Sequence, residues 1–183
     1  TMEPGEVVGL LGPNGAGKTT TFNLAIGLLR IDFGQVLLDG KPVANLAMPI
    51  RARLGIGYLP QEPSIFRQLT VRQNLDLALS QGSLPPSLCR QRREQLIEEF
   101  NLNSFENRRG YQLSGGERRR CEVARALAVG QIGPRYLLLD EPFAGVDPMA
   151  VADLQVLIQK LRERGMGILI TDHNVRETLK IVD

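Results

Sequence analysis

Apolar and polar positions follow two alternating patterns along most of the chain. Short apolar runs of strand length lie at residues 7–11, 55–59, 136–139 and 167–171, and polar or glycine-rich sequence follows each of them. Longer segments between them repeat apolar residues every three or four positions, which is typical of helices with one buried face. Strands that alternate with helices predict an α/β fold built on a parallel sheet.

The helical segments have recognisable boundaries. Asp147 precedes Pro148, an N-cap followed by proline at the first helical position, and Gly165 ends the same segment. Asp39-Gly40 is a typical hairpin turn, so residues 35–43 are expected to form a small antiparallel piece. We predict helices over residues 20–26, 49–54, 71–80, 88–100, 115–129 and 148–164. The stretch from about residue 62 to 109 is therefore expected to be helical and inserted into the α/β core.

Composition narrows the class of protein. The chain has 183 residues, of which 43% are hydrophobic and 23% charged, which is ordinary for one folded domain with or without a subdomain. A net charge of +2 gives no reason to expect nucleic acid as a partner. Cys89 and Cys121 lack metal-site or disulfide-framework spacing, so free thiols are expected. No apolar run approaches a membrane span and no signal peptide is recognisable, so any membrane role is expected to act through a partner.

A glycine-rich segment between the first strand and the first helix is the strongest functional signal. Its glycines allow successive backbone N–H groups to point into one concavity at a helix N-terminus, where the dipole favours anions. A lysine there reaches the β- and γ-phosphates, and the next hydroxyl binds Mg²⁺. The alternative is a strand–helix turn without a ligand. The predicted phosphate-binding residues are Gly12, Pro13, Asn14, Gly15, Ala16, Gly17, Lys18, Thr19 and Thr20.

Polar side chains also follow three other predicted strands. Gln61, Asp140, Glu141 and His173 all lie just beyond strand ends, and the carboxyl ends of parallel strands form one ligand-binding edge. Asp140 after an apolar run suits a carboxylate that holds Mg²⁺, and Glu141 suits a general base acting on water. His173 suits a γ-phosphate contact. The alternatives are a helix-capping acid for Glu141, a structural histidine for His173 and an ordinary loop residue for Gln61.

A second helix N-terminus could also bind phosphate. Ser114, Gly115 and Gly116 precede a helical segment. Because the first loop already holds the phosphates of its own chain, this helix end is expected to meet a nucleotide on another subunit. Helix capping by Ser114 is the alternative explanation.

Ser114-Gly115-Gly116-Glu117 between the two phosphate-site motifs resembles the signature of ATP-binding-cassette (ABC) ATPases, and the resemblance covers essentially the whole chain. It implies a P-loop NTPase core of RecA-like α/β type, spanning residues 1–61 and 126–183, with a small antiparallel β subdomain. It also implies a helical subdomain over about residues 62–125. The cofactors implied are ATP and Mg²⁺. The partners implied are a second copy, in a head-to-tail dimer that encloses two ATP molecules, and transmembrane transporter subunits.

The resemblance assigns roles to individual residues. Gly12 to Thr20 would cradle the phosphates, and Gln61 would sense Mg²⁺ and the transporter. Ser114, Gly115 and Gly116 would touch ATP across the dimer, with Asp147 in the adjacent D-loop. Thr19 and Asp140 would assist Mg²⁺, Glu141 would be the base and His173 the switch histidine.

Several segments are closer still to the ATPase subunits of lipopolysaccharide-export transporters, which work at the cytoplasmic face of the bacterial inner membrane. These segments are residues 57–62, 64–67, 115–120, 141–148 and 171–178. Phe66 and Arg67 follow Gln61, which the resemblance places in the Q-loop. An exposed aromatic beside an arginine suits a docking pocket for a partner helix; the alternative is a core position for Phe66. Branched-chain amino-acid importer ATPases are the nearest alternative family.

Other classes fit less well. The short separation of Lys18 and Ser114 leaves no room for the long coiled coil of a repair clamp, and a translation factor would carry two cassettes. Glu141 argues against a module that only binds nucleotide. The resemblance is incomplete at the ends: the adenine-stacking aromatic residue would lie before Thr1, and most of the elements that follow His173 in the family are absent. A truncated cassette with poor base discrimination is therefore expected.

Overall fold

The computed structural model describes residues 1–13, 15–82, 84–129 and 133–183. The strands are β1 (Val7–Gly9), β2 (Leu37–Leu38), β3 (Lys41–Pro42), β4 (Ile56–Leu59), β5 (Tyr136–Asp140) and β6 (Gly167–Thr171). The helices are α1 (Lys18–Ile26), α2 (Met48–Arg53), α3 (Val71–Ser80), α4 (Pro86–Glu99), α5 (Gly115–Leu127), α6 (Pro148–Glu163) and α7 (Val175–Thr178).

The described residues form a parallel sheet in the order β1-β6-β5-β4, and β2 and β3 form a separate antiparallel pair. Every residue of β5 is buried, as expected for a central strand covered on both faces. The strand register places Leu139 beside Leu59 and Ile170, so β4, β5 and β6 end at the same edge. The predicted α/β fold with a small antiparallel piece is confirmed.

Two apolar layers cover the sheet. On one face, Phe22 and Ile26 of α1 pack with Tyr136 and Leu138 of β5. The other face, which carries Leu137 and Leu139, packs against α5, α6 and the helical region. Because side chains alternate along a strand, Asp140 shares the face of Leu138 and is directed toward α1.

The helical region is built around its own buried stripe. Leu75, Leu96 and Phe100 are fully buried, and α3 packs against both α4 and α5. The hydroxyl of Thr70 caps α3 and Gln73 returns the bond to the Thr70 backbone N–H, which completes a capping box. The exact division into subdomains at residues 61–62 and 125–126 stays a prediction.

Most predicted elements are found with small boundary shifts. The helix predicted from residue 88 begins at Pro86, since proline fits the first turn of a helix. The single-turn α7 was not predicted, because four residues carry no readable periodicity. Cys89 and Cys121 are free thiols, as expected. No helix within the described residues has both the length and the apolar character needed to cross a membrane.

Candidate functional site

Glycine shapes the turn between β1 and α1. Gly15 and Gly17 have φ of +79° and +85°, and a Cβ at either position would meet no atom of a non-adjacent described residue within 4 Å. Glycine is therefore required at these positions by the backbone conformation and not by close packing. Gly17 is the N-cap of α1 and provides no side-chain cap, so the first N–H groups of the helix face the concavity of the turn. This is the geometry of an anion site at a helix N-terminus.

Lys18 closes the turn from inside. Its side chain is buried, and Nζ donates hydrogen bonds to the carbonyl oxygens of Gly12 at 2.7 Å and Pro13 at 2.9 Å. The ammonium group thus lies within the loop that is predicted to hold phosphate. Ala16 donates its N–H to Pro13 O at 3.2 Å and tightens the same loop. Asn14, also predicted to bind phosphate, lies outside the described residues.

A polar cavity of about 350 Å³ opens above this turn. It brings together residues from one loop and three strand ends, as predicted from the sequence. The lining residues are Gly15, Gly17, Lys18, Thr19, Thr20, Gln61, Glu141 and His173.

Glu141 is the best-connected of the strand-end residues. It is only 6% exposed and its φ is +48°, in the left-handed region that residues with a side chain rarely adopt. Gln61 Nε2 donates a hydrogen bond to Glu141 Oε2 at 2.8 Å, and His173 Nε2 lies 2.6 Å from Glu141 Oε1. The carboxylate is therefore held from two sides in the wall of the cavity, and the three predicted catalytic residues form one contact group.

Asp140 is almost completely buried, and its two carboxylate oxygens differ. Thr171 Oγ1 donates to Oδ1 at 2.7 Å, whereas Oδ2 has no hydrogen-bond partner among the residues that the structure describes. Burial, the negative charge of Asp140 and a hydrogen-bonding contact with that carboxylate raise the pKa of Tyr58 to about 12, so Tyr58 stays neutral beside it. A buried carboxylate with so few donors around it is stabilised by a cation or water, so Asp140 fits a metal-assisting role.

The described residues contain no cluster of three or more side chains suited to hold a metal by themselves. Mg²⁺ usually binds one or two protein oxygens and keeps substrate phosphates and water as its other ligands. Asp140 and Thr19, with a bound nucleotide, fit that arrangement.

Four residues at the site were not predicted. Asp172 is buried; its Oδ2 accepts the N–H of Phe143 at 2.9 Å and its Oδ1 accepts the N–H of Asn174 at 2.8 Å. It therefore ties the segment after Glu141 to the segment that carries His173. Thr171 holds Asp140, and Arg119 and Glu122 lie buried beneath the same loops. Asp172 directly follows a predicted strand, which was a usable signal; the other three carried none.

The signature residues lie elsewhere. Ser114 caps α5 through the N–H of Glu117 at 3.2 Å, and Asp147 caps α6 through the N–H of Ala150 at 3.0 Å. A Cβ on Gly116 would lie 2.7 Å from the Cβ of Ala150, so α5 and α6 meet through a glycine contact. Among the described residues that line the polar cavity at the P-loop, the glycine-rich segment from Gly12 to Thr20, none belongs to this group of predicted nucleotide-binding residues. Capping accounts for Ser114 and Asp147 in the isolated chain.

A second cavity of about 410 Å³ lies beside the helical region and is called the groove below. Phe66 is 48% exposed at its wall, and the Arg125 guanidinium lies 5.0 Å from the centre of the Phe66 ring. The Phe66 backbone is fixed by Asn74, which bonds both its N–H and its carbonyl. Phe66 is therefore not a core residue. Arg67 is exposed but does not line the groove, whose walls are Met48, Tyr58, Ser64, Phe66, Leu77, Ala78, Gln81, Glu122, Arg125, Ala126 and Val129.

Comparison with known proteins identifies related sequences and folds. The family model described as ABC transporter matches residues 1–144. The chain is 55% identical to the lipopolysaccharide export system ATP-binding protein LptB of Haemophilus influenzae, over 100% of this chain and 75% of that protein. A nucleotide-free ATP-binding cassette from an ABC transporter superposes with a TM-score of 0.87 and 27% identity, covering 100% of this chain and 76% of the other. A dimeric post-hydrolysis cassette bound to ADP and phosphate superposes with a TM-score of 0.83 and 28% identity, covering 97% and 79%.

Proposed function

Because the chain belongs to the ABC transporter family, whose ATP-binding proteins hydrolyse ATP, we propose that it is the ATPase subunit energising lipopolysaccharide export at the cytoplasmic face of a bacterial inner membrane. The observation that carries the proposal is the 55% identity to a lipopolysaccharide-export ATP-binding protein along the whole chain. The polar cavity with its P-loop and strand-end carboxylates supports the hydrolytic part.

Each side of the cavity has its own task in this proposal. The glycine turn and the α1 N-terminus bind the phosphates, and Lys18 moves from its loop carbonyls to phosphate oxygens. Thr19 and Asp140 would hold Mg²⁺, which would neutralise negative charge on the nucleotide phosphates. Gln61 senses the metal and the transporter from the Q-loop.

Glu141 acts as the general base in this proposal. Its carboxylate accepts the proton of the water that attacks the γ-phosphorus, while the bond to the leaving ADP breaks. Gln61 and His173 contact opposite oxygens of that carboxylate and so orient it. In this proposal His173, which lines the same cavity, also contacts the γ-phosphate. Branched-chain amino-acid import stays the second candidate function, through the shared P-loop and the segment Phe143-Ala144-Gly145.

A head-to-tail dimer explains the separate position of the signature. Ser114, Gly115 and Gly116 lie outside the P-loop cavity of their own chain, so a second copy is needed for them to meet the γ-phosphate. A related cassette is dimeric in its state with ADP and phosphate. In this arrangement Asp147 lies near the same interface, because the Gly116 backbone packs beside it.

The dimer is tested with hydrolysis blocked. Glu141→Gln protein should form a dimer when ATP is added, measured by light scattering. Adding Ser114→Arg should abolish that dimer by blocking the approach of the signature, whereas the exposed Ser87→Arg should leave it intact. A Glu141→Gln, Ser114→Arg protein that still dimerises with ATP would exclude the signature from the interface.

The cargo is tested through the membrane subunits. Tagged protein purified from detergent-solubilised membranes of its own bacterium should co-purify with the transmembrane subunits of lipopolysaccharide export, identified by mass spectrometry.

We propose that these subunits dock in the groove beside Phe66 and Arg67. Phe66→Ala should therefore lose them and keep ATP binding. Phe33→Ala is the matched control, since Phe33 is 97% exposed and does not line the groove. Recovery of amino-acid importer subunits would support the alternative function.

A further inference from the structure

Arg119 is a buried cation beneath the loops that carry Gln61 and Glu141. It lies in α5, is 6% exposed and uses all five of its N–H donors. The acceptors are the carbonyl oxygens of Pro60 (3.1 Å), Asp140 (3.2 Å), Glu141 (2.8 Å) and Pro142 (3.0 Å), and Glu122 Oε2 (3.2 Å). One rigid guanidinium therefore joins two chain segments that are far apart in sequence.

The bonded carbonyls surround the proposed base. Arg119 bonds to the carbonyls of the residues before and after Glu141 as well as to that of Glu141 itself. Glu141 has a left-handed backbone, a conformation that persists in a residue with a side chain only when its surroundings enforce it. The bond to Pro60 O fixes the residue immediately before Gln61. The relative position of Gln61 and Glu141 thus depends on the same side chain.

Glu122 connects this arrangement to the groove. Its Oε2 accepts from Arg119, and its Oε1 accepts the N–H groups of Ser64 at 2.8 Å and Ile65 at 3.3 Å. Glu122 also lines the groove, and Ile65, whose N–H it accepts, directly precedes Phe66. Burial lowers the pKa of Arg119, and the negative charges of Glu122, Asp172 and Asp140 oppose that shift. The Arg119–Glu122 ion pair is therefore buried and fully hydrogen-bonded. Its bonds connect the segment beside the groove to the backbone of Glu141.

We propose that Arg119 is a positioning residue for ATP hydrolysis, which fixes the position of the Glu141 backbone relative to the Q-loop. Glu122 connects this pair of loops to the groove. The proposal rests on the proposed role of Glu141 as base. Arg119 itself does not line the nucleotide cavity, so its effect is on the base rather than on the nucleotide.

The first test replaces Arg119 with lysine in the full-length protein. Lysine keeps the charge but has three donors, so it cannot hold five acceptors. We expect kcat to fall roughly 10- to 100-fold, as misplacement of a catalytic group by about 1 Å would cause. KM for Mg·ATP should change by less than about threefold, because the phosphate contacts are untouched. Arg90→Lys, on the exposed face of α4, is the matched control and should keep wild-type kcat and KM.

The second test separates positioning from general structure. Because Arg119 acts through Glu141, adding Arg119→Lys to Glu141→Gln should cause no further fall in the residual rate. The proposal would be overturned if Arg119→Lys lowered the residual rate of Glu141→Gln by the same factor as it lowers the wild-type rate. A wild-type kcat in Arg119→Lys alone would also overturn it. Wild-type turnover in Glu141→Gln alone would instead remove the base assignment, so the two failures can be told apart.

Glu122→Gln guards against a variant that fails to fold. It removes the negative charge and leaves one oxygen acceptor, which can serve either Arg119 or the N–H groups of Ser64 and Ile65 but not both. The four bonds from Arg119 to backbone carbonyls stay, so we expect a smaller fall in kcat than for Arg119→Lys, again at nearly constant KM. Melting temperatures are measured alongside. If both variants unfold, or lose kcat only in proportion to their folded fraction, Arg119 has a purely structural role and the proposal is overturned.

Discussion

The P-loop and the loop that carries Glu141 line the same cavity but are built in different ways. The P-loop is a local structure: its shape comes from Gly15 and Gly17, and the partners of Lys18 lie five and six residues away. The Glu141 loop is assembled from distant segments, with partners on Gln61, Thr171 and Arg119. A local motif can therefore bind phosphate in many contexts, whereas the hydrolytic group depends on the whole domain being correctly folded.

The largest expected effect separates hydrolysis from binding. Glu141→Gln keeps the size of the side chain but removes its basicity, so kcat should fall about 10²- to 10⁴-fold, or roughly 3–5 kcal/mol of barrier. The Kd for Mg·ATP should stay near the wild-type value, because the P-loop contacts are local. Steady-state ATPase kinetics and equilibrium nucleotide binding measure the two quantities. Turnover at the wild-type rate would contradict the base assignment.

The next largest effect is a loss of nucleotide binding that leaves the contacts of the proposed base intact. Lys18→Ala removes a charge-assisted contact to phosphate, worth about 1.5–3 kcal/mol, so ATP affinity should fall on the order of 10- to 100-fold. The Gln61–Glu141–His173 contacts should persist, since none of them involves Lys18. Titration calorimetry with ATP measures the loss, and Lys41→Ala, an exposed position on β3, is the control. Unchanged affinity would show that backbone N–H groups alone bind the phosphates.

The same contrast explains what the sequence could predict. The P-loop was readable residue by residue, and the strand-end positions of Asp140, Glu141 and His173 followed from the parallel sheet. The hydrogen bonds that support the Glu141 loop could not be predicted, because hydrophobic periodicity does not show which polar side chains are buried as partners. Arg119 sits between two other arginines, and only the fold shows that it is the one that is buried.

The signature remains a different kind of problem. Ser114 and Gly116 were predicted from a motif, but the contact that would give the motif its function belongs to a second copy. Within one chain their visible tasks are capping and helix packing.

A smaller effect tests the assembled loop through stability. Thr171→Val keeps the shape of the side chain but removes the bond to buried Asp140 Oδ1, which should cost about 1.5–3 kcal/mol of unfolding free energy. Thr21→Val is the matched control in the P-loop helix, where the hydroxyl is exposed and bonds only to Gly17 O. That change should stay within about 0.5 kcal/mol. Equal losses in chemical denaturation would contradict the proposed difference between the two regions.

The smallest effect tests whether the P-loop depends on backbone conformation alone. Gly17→Ala adds a methyl group that meets no atom of a non-adjacent described residue within 4 Å, so packing should be unaffected. Its φ of +85° is unfavourable for alanine, and we expect a loss of about 1–2 kcal/mol in the nucleotide-free protein. Gly17→Asn should lose less, because asparagine tolerates left-handed backbone better. Thermal unfolding of the two variants beside wild type gives the order directly. If alanine and asparagine destabilise equally, steric contacts rather than φ control this turn, and the P-loop is less local than its sequence indicates.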